Sequence, residues 1–227
     1  VRRRAKRVIV ELSGRVELIF HLGMSGRLTL ENTARPVEPH THVRIVVRAA
    51  RQRNGRTSRE LRFRDPRRFG GVWCLTVGGR RIGRILGPLG VEPLEVKLAS
   101  FRRLIARRRK IKGLLLDQRI IAGLGNIYCD ESLFAAGVHP RRRADGLREE
   151  EVKRLLRAIR TTLRGAIRHN GSTLMDYRRA DGSKGSFQNH HRVYQREGEA
   201  CRTCDVPIER TVVSARSTFF CPNCQRE

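Results

Sequence analysis

Two clusters of residues in this 227-residue chain have the types and spacing to do chemistry. The first is Cys201-x-x-Cys204 followed, after 16 intervening residues, by Cys221-x-x-Cys224. Four thiolates suit a tetrahedral Zn²⁺, and two tight knuckles can deliver them from a β-hairpin. Such a set leaves no open coordination position, so the zinc is structural. Two separate redox pairs are the competing reading, and the doubled knuckle spacing favours the metal. Arg210, Arg216 and the run Thr218-Phe219-Phe220 lie between the knuckles. A hairpin with arginine at its tip can enter a nucleic-acid groove or be an ordinary surface hairpin. The second cluster is Gly123-Leu124-Gly125-Asn126-Ile127. A glycine turn that opens a helix presents backbone N–H groups able to hold a phosphate, with Asn126 as a further donor. Taken alone, ordinary packing of two helices around a turn explains it as well.

The elements that must position these clusters follow from periodicity. Residues 1 to about 95 read as β structure. Arg7–Leu12 and Val16–Phe20 are β-rich runs separated by Ser13-Gly14, and Val43–Val47, Glu60–Arg64 and Gly71–Leu75 continue the pattern. Short strands between turn signals suggest a sandwich or barrel. Near Leu94 the period changes. Leu98, Phe101, Leu104 and Ile105 recur at helical spacing. Leu114 to Ile121 is an apolar stretch broken by the glycine turn, and Ile127 to Ala136 reads as helix. Val152, Leu155, Leu156, Ile159, Leu163 and Ile167 predict the clearest amphipathic helix, stopped by Asn170-Gly171. Residues 176 to 192, polar and glycine-containing, read as a mobile loop.

Composition narrows the partner. The chain carries 49 Lys and Arg against 22 Asp and Glu, a net charge of +27, with 39% hydrophobic residues. An excess of this size repels itself unless a polyanion is near. Nucleic acid is the leading partner, because neutralising phosphates releases counterions; an arginine-rich solvated surface is the alternative. No apolar stretch is long enough to span a membrane, and Val1–Lys6 does not resemble a signal peptide. Of six cysteines, Cys74 and Cys129 stand apart from the knuckles. One metal site in a reducing cytosol fits that usage better than a disulfide framework.

Read in order, the basic run Val1–Lys6, His21-Leu22-Gly23-Met24-Ser25-Gly26, Asp65-Pro66-Arg67-Arg68-Phe69-Gly70, Leu86-Gly87-Pro88, Gly123–Tyr128 and the four-cysteine segment closely resemble formamidopyrimidine-DNA glycosylase over essentially the whole chain. The resemblance implies an α+β multidomain protein. Its parts would be a partial N-terminal β-sandwich at 1–95, a helix–two-turn–helix domain at 96–185, and the end of a lesion loop with a four-cysteine β-hairpin zinc finger at 186–227. It also implies a bacterial, cytoplasmic, nucleoid-associated monomer that binds damaged double-stranded DNA and carries one structural Zn²⁺ on Cys201, Cys204, Cys221 and Cys224.

Residue by residue, the resemblance gives Lys6 the place of a lysine that assists β-elimination, in the strand after the basic run. Met24, Arg67 and Phe69 match the trio that fills the gap left by an extruded nucleotide; apolar wedges hold DNA kinked, and an arginine can hydrogen-bond the orphaned base. His40 matches a DNA-contacting histidine. Arg108 and Lys112 match basic, phosphate-facing positions, Asn126 a phosphate-binding asparagine, and Arg216 the finger arginine at the damaged site. Tyr194 is a further phosphate contact. The Asp181–His191 loop occupies the lesion-capping position.

The implied activity is excision of oxidised purines such as 8-oxoguanine and formamidopyrimidines, followed by lyase cleavage at the abasic site. Members of the family begin Pro-Glu, with the proline amine attacking C1′ and the glutamate handling protons; this sequence begins with neither. It is therefore expected to be N-terminally truncated and catalytically incomplete by itself. An endonuclease VIII-like enzyme for oxidised pyrimidines is the alternative within the superfamily, disfavoured by Arg67-Arg68-Phe69. A non-catalytic damaged-DNA-binding module is the alternative outside it.

Overall fold

The computed structural model describes residues 1–47, 59–78, 85, 87–174, 179 and 181–227. Leu86 of the Leu86-Gly87-Pro88 motif and residues 176–178 and 180 of the expected loop lie outside them. The chain divides into two compact units, Val1–Ile82 with His169–Asn189, and Gly83–Arg168 with His190–Glu227. No helix among the described residues is long and apolar enough to cross a membrane.

In the first unit, β-rich runs pair as two antiparallel sheets. β1 (Arg2–Arg4), β2 (Arg7–Leu12), β3 (Val16–His21) and β7 (Gly71–Thr76) line up in the order β1-β2-β3-β7. β4 (Arg27–Asn32), β5 (Thr41–Val47) and β6 (Arg59–Arg64) line up as β4-β6-β5. Ile9 lies opposite Ile19, and Ile19 opposite Trp73, so apolar side chains stack across the first sheet. Ile19 and Phe20 are adjacent in β3, point to opposite faces, and are both fully buried. Apolar alternation does not reveal β1, which is Arg-Arg-Arg and pairs through its backbone with Arg7, Val8 and Ile9.

The second unit is helical. Helices α1 (Leu98–Ile105), α2 (Ile111–Leu116), α3 (Asn126–Ala136) and α4 (Glu149–Arg168) surround a core of Phe101, Ile105, Leu114, Leu115, Leu124, Leu133, Leu155 and Ile159. The apolar stretch that continues to Ile121 in sequence leaves the helix after Leu116. Asp117 stops it by accepting the backbone N–H groups of Ile120 and Ile121 on its carbonyl, at 2.9 and 3.0 Å. Gln118 then staples the two turns, its amide donating to the carbonyls of Leu116 and Leu124 and accepting from the N–H of Gly123. α3 ends at Gly137, whose φ of 65° lets its N–H reach the carbonyls of Leu133 and Phe134. α4 begins with Glu149, Glu150 and Glu151 at the positive end of its dipole, and Glu151 turns back to accept the N–H of Arg148 at 2.8 Å.

The finger belongs to this second unit. β8 (Glu209–Val213) and β9 (Arg216–Phe220) form a hairpin closed by Ser214 and Ala215, both with positive φ, as a two-residue turn with the native strand twist requires. Its apolar side, with Ile208 and Phe219, packs with Val193 and Phe134 of α3. The chain entering the finger is held by Glu131 of α3. Its buried carboxylate accepts the backbone N–H groups of Arg192, Val193 and Tyr194 at 2.9, 3.0 and 2.9 Å. Replacing Glu131 by Ala leaves those donors without an acceptor, a cost of about 2–4 kcal/mol. Denaturant unfolding of Glu131→Ala is expected to show a loss in that range, and a loss near zero contradicts the anchoring role.

Candidate nucleic-acid interface

The first unit carries an exposed wedge on a rigid base. Met24 and Phe69 are 66% and 57% exposed, far above what core packing allows for such side chains. The Arg67 guanidinium lies 4.9 Å from the centroid of the Phe69 ring. Beneath them, buried Asp65 ties the two loops together. Ser25 Oγ donates to one carboxylate oxygen at 2.6 Å and the Gly70 N–H to the other at 2.7 Å, while Ser25 Oγ accepts the Arg67 N–H at 3.2 Å. These hydrogen bonds, chiefly from Ser25, Gly70 and Arg67, hold the Asp65 carboxyl below the usual range against the opposing effect of burial. Gly23, with φ of 63°, lets the loops touch: a Cβ there would stand 2.7 Å from backbone atoms of Phe69 and Gly70. The sequence motifs mark both loops as functional. The Ser25–Asp65 lock between them becomes apparent only when the fold brings them together.

His40 is exposed, with φ of 66°, and its carbonyl accepts the Asp65 N–H at 3.0 Å, so it borders the same loop. Lys6 is also exposed, but it is in the two-residue turn between β1 and β2 and not in a strand. The turn forces buried Ala5 to φ of 53°, a conformation costly for a residue with a Cβ. Arg7 and Lys6 both lower the pKa of His21, after burial as the main cause. The loop around Lys6 is thus strongly cationic.

In the second unit Arg216, Asn126 and the start of α3 come together. Gly125 is the N-cap of α3, and the N–H groups of its first turn have no acceptor within the helix. The Asn126 amide donates to the Ser217 carbonyl at 2.8 Å, which fixes the residue after Arg216 against that helix end. Arg216 is exposed, and among the described residues no acidic side chain reaches it. Arg108, also exposed, lies in the loop between α1 and α2. Tyr194 is half-buried, its ring edge-on to Phe219 with centroids 5.2 Å apart.

The expectation that Lys112 faces phosphate needs correction. Lys112 is fully buried, and its ammonium lies 2.6 Å from Asp130, 3.0 Å from the Ser217 carbonyl and 2.8 Å from Thr218 Oγ1. Two of its protons are donated to Ser217 and Thr218, and the ammonium faces the Asp130 carboxylate as an ion pair. Thr218 Oγ1 in turn donates to the Arg216 carbonyl, and Asp130 accepts the Phe219 N–H at 3.1 Å. Burial pushes the Asp130 carboxyl up to about 6, opposed by Lys112. Lys112 therefore sets the position of the strand that carries Arg216. A lone basic residue in a sequence carries no mark of the carboxylate it will meet.

Cys201, Cys204, Cys221 and Cys224 bring their sulfurs within 4.8 Å of one another. Sulfur pairs stand 3.4, 3.5 and 3.9 Å apart. A tetrahedron with Zn–S bonds of ~2.3 Å has edges of about 3.8 Å, so the donor set fits one structural zinc.

Two outcomes follow for the interface. Gly23→Ala forces the wedge loops apart, and it is expected to weaken binding to an abasic-site duplex while leaving binding to intact duplex near wild type; parallel losses on both would contradict a wedge role. Lys112→Met leaves Asp130 buried and unpaired, at a cost of about 3–5 kcal/mol. Its thermal midpoint is expected to fall together with abasic-site affinity, although the Lys112 side chain is fully buried against protein groups. Unchanged stability would contradict the buried pair.

Three family models cover most of the chain. Residues 1–72 match the formamidopyrimidine-DNA glycosylase N-terminal domain, 89–178 its H2TH domain, and 198–226 the zinc finger found in FPG and IleRS. Among curated proteins, formamidopyrimidine-DNA glycosylase of Thermus thermophilus is 48% identical over 232 residues, covering 100% of this chain and 82% of that one. The Herpetosiphon aurantiacus protein of the same name is 45% identical, covering 99% and 80%. The crystal structure of MutM (Fpg) from Thermus thermophilus matches with a TM-score of 0.84 at 44% identity, covering 100% of this chain and 82% of that one. Lactococcus lactis Fpg in complex with abasic-site DNA matches with a TM-score of 0.86 at 32% identity, covering 100% and 81%. The Lactococcus lactis protein has also been crystallised with DNA containing an oxidised pyrimidine. With these matches over both units and the finger, the chain belongs to the formamidopyrimidine-DNA glycosylase family.

Proposed function

We propose that the protein excises oxidised purines from duplex DNA as a glycosylase and opens the resulting abasic site as a lyase, with the work divided among the residues placed above. The observation that carries this reading is the Arg216–Asn126 arrangement, an exposed arginine whose neighbouring backbone is held by the Asn126 amide at the N-terminal end of α3. It suits a phosphate held at the extruded nucleotide. Arg108 and Tyr194 extend that backbone contact. Met24, Arg67 and Phe69 occupy the vacated stack, and His40 borders them on the DNA side. Extrusion is needed because neither the base edge nor C1′ can be reached inside the helix.

Lys6 assists β-elimination once the base has left. In the family the attacking amine is that of an N-terminal proline, and Lys6 acts on the sugar intermediate that this attack creates. The functional division is 1–95 for the wedge and chemistry, 96–185 for the helical grip, and 186–227 for the lesion-loop end and finger. The protein works as a cytoplasmic, nucleoid-associated monomer.

The test combines specificity and binding. With a Pro-Glu-led N-terminal segment placed ahead of Val1 to supply the attacking amine, excision of 8-oxoguanine opposite cytosine is expected to exceed excision of thymine glycol by about tenfold or more, the scale on which a shaped pocket discriminates. The reverse preference would select the oxidised-pyrimidine reading. Arg216→Ala is expected to lower the log–log salt slope of DNA binding by about 0.9, one phosphate contact. An unchanged slope would refute the assignment of Arg216.

A further inference from the structure

α4 is the longest helix among the described residues, and its two faces differ sharply. Val152, Leu155, Leu156, Ile159 and Ala166 are buried in the helical core. Arg154, Arg157, Thr161, Arg164 and Arg168 lie on the other side, all exposed to solvent, and among the described residues none of these four arginines forms an ion pair with an acid. At 3.6 residues per turn the second set forms one straight stripe, centred about 180° from the first. It extends over 14 residue steps, roughly 21 Å at 1.5 Å per residue. From Val152 to Arg168 the helix contains no acidic residue.

The bareness of the stripe needs a physical reason. Arginines at i, i+3 and i+4 repel by about 0.2–0.5 kcal/mol per pair. Some surface arginines elsewhere are paired with acids, as Arg35 with Glu31, Arg102 with Glu149, Arg119 with Asp117 and Arg143 with Asp145. Others, such as Arg15, Arg103 and Arg202, form no ion pair among the described residues; α4 differs in that its unpaired arginines share one face of one helix. Among the described residues no acidic side chain forms an ion pair with Arg157, Arg164 or Arg168. The same bareness marks Arg67, Arg108 and Arg216, the arginines of the DNA interface. Ile167, 63% exposed, borders the stripe as a single aliphatic residue, but the stripe itself carries none of the aromatic and aliphatic anchors that protein partners bury at the centre of an interface. Regular cations without an apolar anchor match a phosphodiester backbone, read without sequence.

We infer that the outer face of α4 is a second duplex-binding surface, distinct from the Arg216–Asn126 grip, which holds a separate segment of undamaged DNA through its phosphates alone. The two surfaces lie on one compact unit, one at the start of α3 and the other on the face of α4 turned away from the core that α3 shares. A protein built this way can touch a new segment before leaving the old one. This goes beyond the excision reading, and its test reads a second binding event without any base removal.

The experiment preloads the protein to saturation with a short unlabelled abasic-site duplex and then titrates a labelled undamaged duplex at low salt. Wild type is expected to capture the second duplex, with capture falling steeply as salt rises. R157Q/R164Q/R168Q is expected to lose about tenfold in second-duplex affinity between matched salt conditions, with abasic-site affinity and thermal midpoint kept. R157K/R164K/R168K retains the charge and is expected to retain capture, which separates charge from folding. The inference is overturned if wild type captures no second duplex, if the glutamine variant captures it equally, or if abasic-site affinity falls in parallel. It is also overturned if polyglutamate of equal charge displaces the second duplex as well as DNA does, which would indicate an acidic protein partner.

Discussion

The buried pair of Lys112 and Asp130 is the contact on which the phosphate-binding geometry rests. An ammonium and a carboxylate removed from water are costly, and the Coulomb attraction offsets that cost only if the remaining protons and lone pairs are also satisfied. Here they are used to build. The lysine donates two protons to Ser217 and Thr218, and the aspartate accepts the N–H of Phe219. Three successive residues of β9 are thereby fixed to two helices of the core. Arg216, one residue before them, inherits that precision while its guanidinium remains exposed. An arginine on a free hairpin would lose side-chain and backbone freedom on binding; much of that ordering is already complete in this fold.

Adjacent residues of α3 share the anchoring of the finger. Asp130 and Glu131 project about 100° apart around the helix. One holds the strand that leaves the hairpin turn, and the other holds the chain that enters the finger. Gln225 supplies a third tie, donating to the Val138 carbonyl at 2.9 Å and accepting the Cys221 N–H at 3.0 Å. The zinc closes the far end of a module whose near end is already joined to the helical core. This explains why the finger and helices group as one unit although sequence periodicity separates them. The metal shapes the knuckles, and the acids of α3 determine where they point.

Legibility in the sequence follows the range of the interaction. Strands β2 and β3, with boundaries set by local alternation and the Ser13-Gly14 turn, are readable to within a residue. So are α3, a run bounded by Gly125 and Gly137, and the end of α4, whose apolar stripe and Asn170-Gly171 stop are local. The cysteine ligands are readable because the knuckle spacing is itself the coordination geometry. β1 is hidden because three arginines give no alternation and the strand exists through its partner. Lys6 reads as strand because nothing local announces a turn at Ala5, which lacks the glycine such a turn favours. Lys112 misleads for the deepest reason: its acidic partner is 18 residues away and its finger contacts more than a hundred. The Ser25–Asp65 lock, 40 residues apart in sequence, is invisible for the same reason.

The charge of +27 can now be divided by what surrounds it. Some arginines are structural. Arg62 reaches the carbonyls of Pro36 and Arg35 from a buried position, and Arg142 grips Glu151 to steady the start of α4. Others are neutralised at the surface by nearby acids, pairs that contribute little to stability and are screened by salt. What remains bare includes the wedge, the α1–α2 loop, the finger tip and the outer face of α4, beside scattered arginines such as Arg15, Arg103 and Arg202. Net charge alone cannot distinguish these groups, since each arginine counts equally in the sum. The distinction lies in whether an acid was placed within reach. A protein that must release its DNA cannot bury these cations, and one that must find DNA cannot pair them, so leaving them exposed and unpaired satisfies both requirements.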